Sequence, residues 1–204
     1  MKLLRRRDKY KGEVPVVQDT MAETAVADIV DTREFSRLYA KHCRRIHGLL
    51  IRLGVASHDA EDALHDTFMV AWRRLESLRD PKAFGAWLNG IAVRVAAASR
   101  RRARVRRFVG LDTVNEPAEP MTPASALEAQ CAHQLVQRAL DGMADKKRTV
   151  FVLFELQEMT GQEIALAVGC PLKTVWTRLF HARREFLARV AALEAAEARH
   201  EKVG

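Results

Sequence analysis

Thr160-Gly161-Gln162-Glu163-Ile164-Ala165, followed by Gly169-Cys170-Pro171-Leu172-Lys173-Thr174-Val175-Trp176-Thr177-Arg178-Leu179-Phe180-His181-Ala182-Arg183, is the stretch whose reading decides the fold. Thr160 and Glu163 have the spacing of a capping box, in which a hydroxyl and a carboxylate three residues apart each satisfy an orphan backbone N–H of a helix start. The short helix they open turns Ile164, Ala165 and Val168 inward, and Gly169 breaks it. Pro171 then begins a second helix, because proline at the first helical position loses no internal hydrogen bond. Leu172, Val175, Leu179, Ala182 and Phe186 face one side of that helix, leaving Lys173, Trp176, Thr177, Phe180, His181 and Arg184 largely on the other. Two helices joined by a glycine turn, the second presenting hydrogen-bonding and basic groups, make a helix-turn-helix whose second helix fits a major groove. On spacing alone, an ordinary helical hairpin with solvated charges stays open as the alternative.

Upstream the same helical period recurs. Ser125 and Glu128 form another capping-box pair, opening a helix with Leu127, Cys131, Leu135 and Leu140, and a further helix from Asp145 to Glu158 holds Val150, Phe151, Phe154 and Leu156. Before these, Gly110, Pro117, Pro120 and Pro123 fall in a short polar stretch that cannot continue a helix, which predicts a flexible linker over 108–124. On its other side lie three more helices. The first runs from Asp31, with Asp31 and Glu34 placed for capping, through Phe35, Leu38, Tyr39, Ile46, Leu49, Leu50 and Leu53 to a stop at Gly54. The second starts near Ser57 and carries Leu64, Phe68, Ala71, Trp72 and Leu75 on one face. The third starts at Asp80-Pro81, carries Phe84, Trp87, Leu88, Ile91, Ala92 and Val95, and runs into Arg100, Arg101, Arg102, Arg104, Arg106 and Arg107. No segment alternates as a strand does, and no repeat of solenoid length is present. The expectation is an all-α chain with two small helical domains: an arm over 1–30, a first domain over 31–107, the linker, a second domain over 125–190 and a tail over 191–204.

Composition bounds the partners. The 204 residues include 34 Lys and Arg against 26 Asp and Glu, a net charge of +8 that favours a polyanion such as nucleic acid or an anionic membrane surface. No apolar run approaches the roughly 18 residues that span a bilayer, and no signal-peptide core follows the basic N-terminus, so a cytoplasmic protein without membrane insertion is expected. Cys43, Cys131 and Cys170 are too far apart for a zinc pair or a disulfide framework and read as small core residues. His58, Asp62, His65 and Asp66 have helical spacings that suit a metal, but the first domain offers no second helix with a matching ligand set, so no metal is assigned.

The run from Thr160 to Arg183 resembles the fourth conserved region of the extracytoplasmic-function sigma factors of bacterial RNA polymerase. Asp59-Ala60-Glu61-Asp62-Ala63-Leu64-His65-Asp66-Thr67-Phe68-Met69-Val70-Ala71-Trp72-Arg73-Arg74-Leu75, continued by Phe84-Gly85-Ala86-Trp87-Leu88-Asn89-Gly90-Ile91-Ala92, resembles their second. The two likenesses together cover about residues 35–107 and 125–190, in the family's order. The resemblance implies a non-enzymatic subunit that binds core RNA polymerase and promoter DNA, uses no cofactor or small-molecule substrate, and has an anti-sigma factor as a partner. It implies polymerase docking at Asp59, Glu61, Asp62, His65 and Asp66. The downstream promoter element would be held and melted by Arg73, Arg74, Lys82, Phe84, Trp87, Arg100, Arg101 and Arg102, where aromatic stacking and phosphate attraction serve unstacked bases. Phe84, Trp87 and Trp72 also read as core by their spacing. The tract from Arg100 to Arg107 is too dense for local pairing and reads as a duplex backbone contact. The upstream element would fall to Lys173, Thr174, Trp176, Thr177, Arg178, Phe180, His181 and Arg184.

Some positions depart from the family pattern. Arg94 and Ala98 stand where it usually has Asn and Asp, Trp176 where Lys or Arg is common, and Lys173 where Gly is common, which points to an unusual promoter sequence. An autonomous helix-turn-helix regulator would explain residues 125–190 but leaves 57–107 unused, and a helical metalloenzyme rests only on the acidic cluster.

Overall fold

The computed structural model describes residues 32–78, 80–109 and 124–201, with side chains from 33 to 199 apart from those of 124–130. The capping roles of Asp31, Ser125 and Glu128, the arm over 1–30 and most of the expected linker lie outside these residues. Every regular element described is helical. No helix among the described residues is long and apolar enough to cross a membrane.

The first body is three helices. α1 (Thr32–Arg52) ends where glycine was expected to stop it: Gly54 takes φ +87°, its N–H donates to the Ile51 carbonyl at 2.8 Å, and the Val55 N–H donates to the Leu50 carbonyl at 3.1 Å. These two bonds are those of a Schellman cap, and Val55 and Leu50 are both buried as its apolar pair. A short 3₁₀ turn at Ser57–Asp59 leads into α2 (Ala60–Arg73), whose Ala60, Ala63, Thr67, Phe68 and Ala71 face inward. The Asp80 carboxylate accepts from the Lys82 N–H at 2.9 Å and Pro81 starts the next turn, as the sequence requires. From it runs α3 (Phe84–Phe108), packed on α1 and α2. Leu88, Asn89, Gly90, Ile91, Ala92 and Val93 are buried in succession, so α3 is enclosed on all sides there rather than along one stripe.

The second body supplies the remaining enclosure. α4 (Ala124–Asp141) and α5 (Asp145–Phe151) pack on the long α7 (Leu172–Glu201), and α6 (Gly161–Val168) sits between α7 and α3. The helix expected to run to Glu158 loosens into a π turn at Val152–Leu156, and Glu158 takes φ +52°, alone among the described non-glycine residues in being positive. α7 continues to Glu201, into the segment expected as a tail over 191–204, and Arg138 of α4 meets Glu197 at 2.6 Å. The cysteine reading needs one change, since Cys131 is exposed while Cys43 and Cys170 are half-buried.

The two bodies share one continuous core. They approach closely at Gly90, where a Cβ would lie 3.7 Å from that of Ala167. Arg148 of α5 lies over Gly54, its guanidinium 1.9 Å from where a Cβ would stand. Gly54→Ala therefore meets both left-handed backbone strain and this guanidinium, and is expected to lower stability by about 1–3 kcal/mol. Urea unfolding of the two chains checks this, and an unchanged midpoint would show that neither constraint acts.

Candidate nucleic-acid interface

The helix-turn-helix is built by the capping box that opens it. The Thr160 N–H donates to Glu163 Oε2 at 2.8 Å and the Glu163 N–H to Thr160 Oγ1 at 3.3 Å. Gly169 closes α6 with φ +65°, and the Cys170 N–H reaches the Ala165 carbonyl at 3.1 Å. That turn aims α7 with Val175, Leu179 and Ala182 fully inward, while Lys173, Trp176, Thr177, Phe180, His181 and Arg184 are exposed. The face expected to enter a groove is therefore assembled on one side of one helix.

Its aromatic members are held from beneath. Trp176 is 46% exposed and meets Phe154 edge-on at 5.7 Å between centroids. A Cβ on Gly161 would come within 2.6 Å of the same indole, so the absence of a side chain there lets the ring lie flat against α6. Trp176 thus packs with one side and presents the other. The Arg183 guanidinium stacks over Phe154 at 5.2 Å and bonds Glu155 at 2.7 Å, and Arg184 lies over Phe180 at 5.8 Å. The Thr177 hydroxyl donates to the Lys173 carbonyl at 3.0 Å, which leaves its oxygen as an acceptor. Two expected members are less open. Thr174 is half-buried, and Arg178 points Nη1 at Cys170 Sγ, 3.5 Å away, lining a cleft with Val93, Arg94 and Ala97 of α3.

In the first body, Glu61, Asp62, His65 and Asp66 line up as an exposed face of α2. Asp59 stands apart because its carboxylate accepts from Arg106 Nη2 at 2.6 Å. Asp66 faces Arg102 Nη2 at 3.7 Å. The partners of the arginine tract are tertiary and not local: Arg102 and Arg106 find carboxylates on α2 and the turn before it, while Arg100 Nε and Arg104 Nη2 face Asp145 of α5 at 3.4 and 3.5 Å. A 25-residue helix carries its charges around its whole circumference, and carboxylates from two neighbours reach alternate ones. Arg101 remains exposed. Arg100 is drawn in further, donating to the Leu53 carbonyl. Burial pushes the Arg100 and Arg148 guanidiniums below the ordinary arginine range, against the attraction of Asp145 and Asp141, and each lies close enough to other arginines to be lowered further.

The residues expected to hold unpaired bases divide. Arg73, Arg74 and Lys82 are exposed and Trp87 is half-buried. Phe84 is corrected to a core residue: it is 4% exposed, with its ring against His42 at 5.3 Å and Trp87 at 5.8 Å. Trp72 packs on Phe35 at 4.7 Å. Among the described residues no three His, Cys, Asp or Glu side chains converge as a metal site. The sequence reading missed Arg45 and gave no role to Asp145 or Arg148. Nothing in their spacing marks them, since each acts on a residue more than 40 positions away.

Comparison with known proteins gives the same two segments. Residues 38–106 match the family described as Sigma-70 region 2, and residues 133–186 match Sigma-70, region 4. The chain is 29% identical over 163 residues to the ECF RNA polymerase sigma-E factor of Haemophilus influenzae, covering 75% of this chain and 85% of that protein. It is also 29% identical over 163 residues to the RNA polymerase sigma-H factor of Pseudomonas aeruginosa, covering 75% and 84%. Its fold is shared with the sigma factor RpoE from Bartonella quintana, solved in complex with the anti-sigma factor NepR, at a TM-score of 0.63 and 23% identity over 78% of this chain and 98% of that one.

Trp176→Arg is expected to act in two ways because the ring is both seat and surface. Without the indole's packing on Phe154 and Gly161 the melting temperature falls, and a forked donor in place of an indole shifts the selected upstream sequence toward guanine, a preference worth about 1–3 kcal/mol of discrimination. Thermal melting and selection from randomised duplexes read the two effects separately. A lower melting temperature with an unchanged selected sequence would remove Trp176 from the reading face.

Proposed function

This chain belongs to the sigma-70 family, in its extracytoplasmic-function group of RNA polymerase sigma factors, and from that premise we propose how its surfaces divide the work. The chain binds core RNA polymerase and directs initiation to particular promoters by recognising and melting their DNA. The observation that carries this reading is the presence of both conserved regions in one chain and in the family's order. An autonomous helix-turn-helix regulator accounts for the second match and leaves the first without a role.

In this proposal the first domain, over 31–107, docks on polymerase through Glu61, Asp62, His65 and Asp66, an exposed acidic face suited to a basic partner. Asp59 serves instead to fix α3 through Arg106. Arg73, Arg74, Lys82, Trp87, Arg101 and Arg102 then hold the downstream element, with cations on phosphates and the indole against an unstacked base. The second domain, from about 125, reads the upstream element through Lys173, Trp176, Thr177, Phe180, His181 and Arg184, and its last helix extends beyond the expected limit of 190. None of these roles breaks a covalent bond, so the chain contributes recognition and leaves chemistry to the polymerase. The work is cytoplasmic, where polymerase and promoter are. A relative solved with an anti-sigma factor supports such a partner for this chain too.

Glu61→Lys and Asp62→Lys together are expected to reduce capture of purified core polymerase at least tenfold while helicity is kept. Circular dichroism and a pull-down check the two halves, and undiminished capture would reject the docking face. The reading of α3 is tested by duplex affinity against salt: replacing Arg101 and Arg102 with Gln should flatten the log–log slope by about 1.8, roughly 0.9 for each phosphate no longer neutralised.

A further inference from the structure

The cleft lined by α3, α4 and α5 carries charges that neither the docking face nor the promoter contacts require. It encloses about 1310 Å³, and its charged lining includes Arg100, Arg104, Lys146 and Arg148 against Asp141 and Asp145. Positive charge is in excess there, so the cleft attracts anions. Ile51, Val55 and Met143 add apolar surface beside the cations. Arg101 and Arg102, the arginines of α3 given to DNA, do not line it.

The ion pairs inside the cleft are slack. Arg106 with Asp59, Arg138 with Glu197 and Lys147 with Glu185 each close to 2.6 Å. In the cleft, Arg100 Nε and Arg104 Nη2 stand 3.4 and 3.5 Å from the single Asp145 carboxylate, and Arg148 Nη1 stands 3.6 Å from Asp141. These distances exceed the roughly 2.7–2.9 Å of a charge-assisted hydrogen bond, so two carboxylates are spread over three guanidiniums without satisfying them. Arg148 is the most enclosed of the three. Its side chain is 7% exposed and its Nε finds no partner among the described residues. Burial holds its guanidinium below the ordinary arginine range, and Arg148 and Arg104 lower that of Arg100 in turn. Buried cations with unfilled donors cost free energy, and an anion bringing several oxygens offsets that cost.

The shape of the cleft decides the size of that anion. Arg148 is too deep for the backbone of a duplex to reach, whereas a small molecule enters. Arg100 and Arg104 are one turn apart on α3 and face Lys146 and Arg148 of α5, a spread that one tetrahedral anion does not cover and linked phosphoryl groups do. The geometry points to a binding site for a small anion with two or more linked phosphoryl groups, bare or carried by a nucleoside, held by Arg100, Arg104, Lys146 and Arg148 in place of the slack contacts to Asp145. The site is independent of the reading of Arg101 and Arg102 as DNA contacts.

Calorimetric titration and thermal melting of the full chain test it, with sodium triphosphate, ATP and sodium sulfate as probes at matched ionic strength. Triphosphate is expected to saturate at one per chain and to raise the melting temperature as its concentration rises, with sulfate about tenfold weaker or worse. Arg104→Gln with Lys146→Gln, both on the exposed rim, should weaken triphosphate about tenfold, and Asp145→Asn, which removes the competing carboxylate, should tighten it about fivefold. Arg101→Gln with Arg102→Gln removes the same charge outside the cleft and is expected to leave the affinity within about twofold. ATP binding tighter than triphosphate would place a nucleoside against Ile51, Val55 and Met143, and equal affinities would assign the site to the phosphates alone. Equal losses in the two double variants would reduce the effect to net charge and overturn the inference. Sulfate binding as tightly as triphosphate, or an Asp145→Asn chain with unchanged affinity, would overturn it as well.

Discussion

The double burial of α3 is the constraint on which the rest of the structure depends. From Leu88 to Val93 every residue of that helix is enclosed, so two bodies must supply its neighbours. α1 and α2 cover one side and α6 the other. A helix enclosed on all sides has no room for large residues on its second face, and Gly90 meets Ala167 where the two bodies touch. Beyond Ser99 the same helix leaves the core and becomes a row of arginines. One continuous rod thus carries the packing at its first half and a cationic surface at its second.

The charges follow from this geometry. A run of arginines on one helix repels itself, and carboxylates from two directions offset that repulsion: Asp59 and Asp66 from α2 and its leading turn, Asp145 from α5. The first two are within the body that owns α3 and hold the helix to its neighbour. The third belongs to the other body. Surface pairs of this kind are individually worth about 0–1 kcal/mol, so none of them fixes the fold alone. Arg148 differs because it is buried, with its Nε unpartnered among the described atoms and its guanidinium over the Gly54 cap. Desolvating it costs more than an exposed pair returns, so its pairing with Asp141 does not hold the two bodies together, and the apolar core they share does.

The recognition helix shows how packing and presentation share one side chain. Trp176 departs from the basic residue common in the family, and the departure is matched beneath it: Gly161 leaves space for the indole and Phe154 gives it an edge to meet. Phe180, one turn on, extends the apolar face, with Arg184 over its ring. In the proposed reading, a face built from two aromatics and flanking cations would favour apolar contact with bases over bidentate hydrogen bonding.

Local signals carried most of the fold. Gly54, Asp80-Pro81, the Thr160–Glu163 box and Gly169 mark boundaries through interactions spanning no more than five residues, and the structure forms each of them. The inward stripes of α1 and α7 were legible for the same reason, apart from Tyr39 and Leu172, which are exposed. Where a residue's role depends on a distant element the sequence was silent or misleading. Phe84 stood open between stacking platform and core until His42 of α1 was seen to close it in, and Arg178 had the type of a base reader and faces Cys170. The arginines of α3 looked unpaired because their carboxylates lie more than 30 positions away. Sequence by itself determined most of the helices, the caps at Gly54, Asp80, Thr160 and Gly169, and the family; only the tertiary structure decided which charges are neutralised and by whom, because electrostatic pairing is set by distance in space and helical period carries no record of it.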